Sequence, residues 1–88
     1  MSIKATLHPF LHDGMEVQLD IEGKTVGECI KSILRTYPAM EKKMFDKSGK
    51  LKGYVEILIN GTGVGTNELA YEVKDGDSIA VLVFLSGG

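Results

Sequence analysis

The residues with the most chemical promise close the chain, Ser86-Gly87-Gly88, directly behind a run of apolar residues. Glycine has no Cβ, so a di-glycine end reaches backbone angles closed to other residues and threads narrow channels. That suits a carboxyl group that must be delivered into another protein's active site. A carboxylate is a poor electrophile until it is activated, for example as an acyl-adenylate. The chemistry open to Gly88 is therefore covalent group transfer. Two consecutive terminal glycines arise by chance in about one sequence in 200 at ordinary glycine usage, and frayed ends are common. It is the position of the pair, straight after an apolar strand, that gives it weight.

Other candidates read as structure. Cys29 stands on the apolar stripe of a predicted helix with no base or cation at helical spacing, so a small buried hydrophobe is expected there. A single cysteine also excludes an intramolecular disulfide and a thiolate metal cluster. His8 and His12 have the four-residue spacing of a helical metal pair, but Pro9 lies between them in a strand and turn, so no metal site is expected. Gly61, Gly63 and Gly65 match neither G-x-G-x-x-G nor a Gly-Lys-Ser/Thr loop and read as a loop with unusual backbone angles. Asp75 and Asp77 flank a turn glycine, where solvated carboxylates belong.

Five segments must position the end of the chain. Ile3, Ala5 and Leu7 alternate with Lys4, Thr6 and His8, and Met15, Val17, Leu19 and Ile21 alternate with polar residues, which predicts an N-terminal hairpin. Thr25 with Glu28 fits a capping box that opens a helix. The helix carries Val26, Cys29, Ile30, Ile33, Leu34 and Tyr37 on one stripe and is stopped by Pro38. Met40 to Phe45 adds a short turn, with Met44 and Phe45 at the core edge. Tyr54 to Ile59 is a strand closed by Asn60-Gly61, residues 68–70 a helical turn, and Ser78 to Leu85 a final strand apolar on nearly every residue. On it Ile79, Val81 and Val83 are expected to face the helix, with Ala80, Leu82 and Phe84 outward. This order predicts an α+β fold, a mixed sheet of four to five strands with one main helix packed on one face.

The bulk properties narrow the function. With 88 residues the chain is one domain, a body over 1–85 and a flexible tail over 86–88, with little room for an enclosed active site. Net charge is −2, and the lysines from Lys42 to Lys52 are interrupted by Glu41 and Asp46, so a solvated loop face is expected and no nucleic-acid partner. No signal-like start and no run of 18 or more apolar residues is seen, so the expectation is a cytoplasmic protein without a membrane partner.

Asn60-Gly61 after a strand, Lys74-Asp75-Gly76-Asp77, an apolar strand and the terminal Gly87-Gly88 together resemble the MoaD/ThiS family of ubiquitin-like sulfur carriers. The likeness runs along the whole chain and is most specific from Gly49 to Gly88. The stretch Gly49-Lys50-Leu51-Lys52-Gly53-Tyr54-Val55 is similar to the longer, MoaD-like members. One departure is the stretch Val83-Phe84-Leu85, where MoaD-like members commonly carry proline. The resemblance implies a β-grasp fold and a protein cosubstrate that is not itself an enzyme and binds no cofactor. An E1-like enzyme would use ATP to adenylate Gly88, and a sulfur donor would convert the adenylate to a thiocarboxylate. Ser86 and Gly87 would form the tail, and Ala80, Leu82 and Phe84 the face that docks partners. These would include a sulfur-acceptor synthase of the MoaE-like kind, in molybdopterin-type, cysteine or thiazole biosynthesis. A protein modifier conjugated through Gly88, or an interaction module indifferent to the tail, are the other classes open to this sequence.

Overall fold

The computed structural model describes residues 2–11, 14, 16–65 and 68–84. In strand β1 (Ile3–Leu7), Ile3, Ala5 and Leu7 are buried, as the period-two alternation demands. Strand β2 (Val17–Ile21) runs back antiparallel, pairing Ile21 with Ile3 and Val17 with Leu7. It begins later than the alternation predicts. The connection curls into a 3-10 turn at Pro9–Leu11 that buries Leu11, so β1 ends at Leu7 and pairing starts at its partner Val17. Met15 and His12 lie outside the described residues.

Helix α1 (Val26–Thr36) buries Val26, Cys29, Ile30 and Ile33. Thr25 caps it, its hydroxyl accepting from the Glu28 amide at 3.2 Å. The return arm of the capping box lands one residue early: Glu28 Oε1 accepts from the amide of Lys24 rather than that of Thr25, at 2.9 Å. Pro38 ends the helix as expected, and Tyr37 leaves the α region with φ −129° and ψ 72°. The chain then makes a 3-10 turn at Pro38–Met40 and a single turn of helix, α2 (Glu41–Met44), which drives Met40 and Met44 into the core.

Strand β3 (Val55–Ile59) buries Val55, Ile57 and Ile59 and ends at Asn60-Gly61, where both residues have positive φ (52° and 84°). Consecutive left-handed residues make the tight turn whose twist matches a hairpin. The chain therefore reverses at once, and Thr62–Gly63 pairs with Leu58 and Ile59 as a two-residue strand β4. The loop expected over residues 61–66 thus contains a short edge strand, although Gly61 and Gly65 have the unusual angles anticipated for it. Glu68–Ala70 forms the expected turn, here 3-10.

Strand β5 (Ser78–Val83) closes the structure at its centre. It runs parallel to β1, pairing Ile79 with Ala5, and antiparallel to β3, pairing Val81 with Ile57. The order β2-β1-β5-β3-β4 is a mixed five-stranded sheet. Every buried residue of β5 lies opposite a buried partner, so one face meets α1 and the other is left to solvent.

Candidate functional site

Alternation along β5 sorts its residues into two sets with different roles. Ile79, Val81 and Val83 are buried against the helix, while Ala80 and Leu82 are half-buried on the opposite face and Phe84 is 61% exposed. This is the division expected from the sequence. Opposite residues in a ladder share a face. Ala80 is therefore flanked by Thr6 on β1 and Leu58 on β3, and Leu82 by Glu56. The outer face is consequently an apolar strip, Leu58, Ala80 and Leu82, with Lys4, Thr6, Gln18 and Glu56 beside it. An apolar strip with a polar rim is the ordinary anatomy of a protein docking surface.

The strip leads to the root of the tail. The Phe84 amide donates to the Tyr54 carbonyl at 2.8 Å, which extends the β5–β3 pairing one residue beyond the strand. Tyr54 is itself held: its hydroxyl donates to the Lys43 carbonyl on α2 at 3.4 Å, and Lys52 Nζ sits 5.8 Å from its ring centroid. Tyr54 is the residue that sequence reasoning missed. It was legible only as a strand position, because nothing in the pattern says that Phe84 is pinned to it. Leu85, Ser86, Gly87 and Gly88 lie outside the described residues.

The other end of β5 is fixed by polar groups. Asn60 Nδ2 donates to Asp77 Oδ1 at 3.1 Å, the Ser78 amide donates to Asn60 Oδ1 at 2.9 Å, and the Lys74 amide donates to Asp77 Oδ2 at 2.9 Å. The Asn60 side chain, with the Lys74 amide second, holds the Asp77 carboxyl below its ordinary value. The Asn-Gly turn and the Lys-Asp-Gly-Asp segment are thus one clamp on the start of the strand.

The remaining sequence candidates are structural. Cys29 is fully buried, and burial, with Glu28 adding to it, pushes its thiol up from the ordinary value, away from nucleophilic character. His8 donates its amide to the Val81 carbonyl at 2.9 Å, while His12 lies outside the described residues. No group of three or more potential metal ligands occurs among the described residues, and no described helix is long and apolar enough to cross a membrane.

A mixed β-grasp sheet with one covering helix defines the class of small ubiquitin-like proteins. Within that class the chain belongs to the ThiS family, whose sequence model matches residues 3–88. It is 32% identical over 91 residues to the sulfur carrier protein CysO of Mycobacterium tuberculosis, covering 100% of this chain and 96% of that protein. It is 30% identical over 73 residues to the small archaeal modifier protein 1 of Haloferax volcanii, covering 82% of this chain and 80% of that protein. The crystal structure of the Haloferax volcanii protein superposes with a TM-score of 0.79 at 26% identity, covering 100% of both chains. A chain in the crystal structure of the BexX/CysO complex of Amycolatopsis orientalis has the same fold, with a TM-score of 0.74 at 23% identity, covering 96% of this chain and 99% of that chain. These relatives are named as a sulfur carrier and as a modifier protein, neither of them as an enzyme.

Proposed function

We propose that this protein carries sulfur on the carboxyl group of Gly88. One Gly88 oxygen attacks the α-phosphate of ATP in the site of an E1-like enzyme; pyrophosphate leaves, and an acyl-adenylate forms. Hydrosulfide, or a donor at the same oxidation level, then attacks the acyl carbon; the acyl C–O bond breaks, AMP leaves with that oxygen and the electron pair, and loss of the sulfur-bound proton gives the thiocarboxylate. The protein contributes the acyl group, a Gly87-Gly88 end that fits a narrow channel, and a face that holds the activating enzyme. Ala80, Leu82 and Phe84 form that face and engage in turn the E1-like enzyme and a sulfur-acceptor synthase. The fold neighbour solved in a BexX/CysO complex supports the use of protein partners.

The observation that carries this reading is the alignment of an outward apolar strip, Ala80 and Leu82, with the strand that leads into Ser86-Gly87-Gly88. The full-length likeness to a protein named as a sulfur carrier favours carriage over conjugation. The likeness to a small archaeal modifier keeps an isopeptide bond from Gly88 to a lysine of another protein as the second reading. Molybdopterin-type synthesis is implied by the MoaD-like stretch Gly49–Val55, and cysteine or thiazole synthesis would use the same thiocarboxylate. The activation step, common to all three, is what we propose here.

Intact-mass analysis after incubation with ATP, sulfide and an E1-like enzyme from the same organism tests it. The expected product has one oxygen replaced by sulfur, and deleting Gly88 removes the gain. Adenylate without a sulfur adduct, together with conjugates to lysine, would favour the modifier. Neither adenylate nor sulfur adduct with an active enzyme would overturn both.

A further inference from the structure

The helix side of the molecule carries a groove, away from the strip on β5. It has a volume of about 930 Å³ and runs along α1 between the segment 41–52 and the turn at Glu68–Ala70. Its floor is apolar, with Leu34, Phe45 and Leu69 half-buried over the core. Its rim carries Lys31 from α1, Lys42 from α2 and Lys47 from the loop beyond.

Charge decides what the groove suits. Residues 41–52 hold five lysines and two carboxylates, a net +3 in a chain whose total is −2. One of those carboxylates, Asp46, is turned into its own loop: its Oδ1 accepts from the Ser48 amide at 2.9 Å, the Ser48 hydroxyl at 2.6 Å and the Lys50 amide at 3.1 Å. Glu41 is the other acidic residue on the rim. A local positive field around an apolar floor is complementary to an acidic, amphipathic partner. The groove is walled by helices and turns, and its lining includes no residue of the five strands, so strand addition does not apply. The matching mode is a helix laid in a groove. Single-stranded nucleic acid fits less well, because it uses aromatic stacking platforms, and Phe45, the single aromatic of the lining, is half-buried in the floor.

We propose that this groove docks an amphipathic helical segment of a partner protein, with apolar residues on the floor and carboxylates against Lys31, Lys42 and Lys47. The sheet face stays free, so one molecule can hold two partners at once. This does not depend on the chemistry at Gly88.

The test is a titration of the isotope-labelled full chain, followed by amide NMR, with a synthetic helical peptide of about four turns. The probe has leucines at i, i+3, i+4 and i+7, with flanking glutamates. Saturable shifts confined to α1, residues 41–52 and residues 68–70 are expected. The K31E/K42E/K47E variant, changed only on the surface, should bind at least about tenfold more weakly, roughly 1.4 kcal/mol. Equal binding by the counterpart peptide with lysine in place of glutamate would overturn the proposal. So would shifts centred on Ala80 and Leu82, or no saturable shift at millimolar peptide. Tighter binding of an oligouridine at the same amides would assign the groove to nucleic acid instead.

Discussion

At the scale of single residues, Cys29, Asp46 and Asp77 have their protonation tied to the structure around them, and each makes a checkable statement. Cys29 is fully buried with its thiol raised, so alkylation must wait for local opening. Native protein should react with iodoacetamide far more slowly than protein in denaturant, and comparable rates would mean that the helix face is open. Asp77 supplies a pH dependence. Its carboxyl is held below the ordinary 3.8 in the folded chain, first by Asn60, so the unfolded chain binds more protons in the acid range. The stability it contributes is present above its unfolded value and is lost as pH falls through its lower folded value. Asp46, held down first by the Ser48 hydroxyl, acts in the same sense. Urea midpoints should therefore fall less steeply between about pH 4 and pH 2 in the D46N/D77N variant than in the parent. Identical slopes would remove both residues from the account of acid stability.

At the scale of elements, the close approach of Gly23 to α1 has a measurable consequence. A Cβ on Gly23 would stand 2.8 Å from the Cys29 amide nitrogen and 2.9 Å from its sulfur, so Gly23→Ala must push the helix start away. A loss of about 1–3 kcal/mol is expected. The control is Gly53→Ala, whose Cβ would meet nothing within 4 Å and which should stay within about 0.5 kcal/mol of the parent. Similar melting temperatures for the two variants would contradict the contact. Gly23 also marks what sequence could not convey. The alternation of Ile3-Ala5-Leu7 with polar residues made β1 and its buried face legible, whereas Ser78 to Leu85, apolar on nearly every residue, was legible as a strand without any such alternation. The capping pair Thr25–Glu28 made the helix start legible, though not that Glu28 would reach Lys24 instead of Thr25. Strand β4 was hidden because two residues carry no periodicity, and only the left-handed pair Asn60-Gly61 creates it. The pinning of Phe84 to Tyr54 was hidden for a related reason: it is a backbone bond between segments 30 residues apart, and side-chain patterns do not encode it.

At the scale of the whole molecule, the proposed function predicts that stability and partner docking separate, because they would use opposite faces of one strand. The inward residues of β5 sit between β1, β3 and α1, whereas Leu82 looks outward beside Glu56. Val81 is fully buried, so Val81→Ala leaves a cavity and should cost about 1–3 kcal/mol, lowering the melting temperature by several degrees in a domain of this size. Leu82→Asp places a charge on a half-buried site with an open face, and should weaken partner binding while shifting the melting temperature much less. Gly88→Ala completes the partition. The body it leaves intact should melt as the parent does, while the added methyl on the reacting residue slows adenylation by the activating enzyme. Calorimetry, binding and enzyme turnover on the three variants should therefore separate cleanly: stability lowered with Val81, docking weakened with Leu82, activation slowed with Gly88. If Leu82→Asp melted as low as Val81→Ala, the outer strip would be part of the core and another surface would have to dock the partners. If Gly88→Ala were turned over like the parent, the channel that receives the tail would tolerate a side chain, and the need for glycine at the reacting position would be refuted.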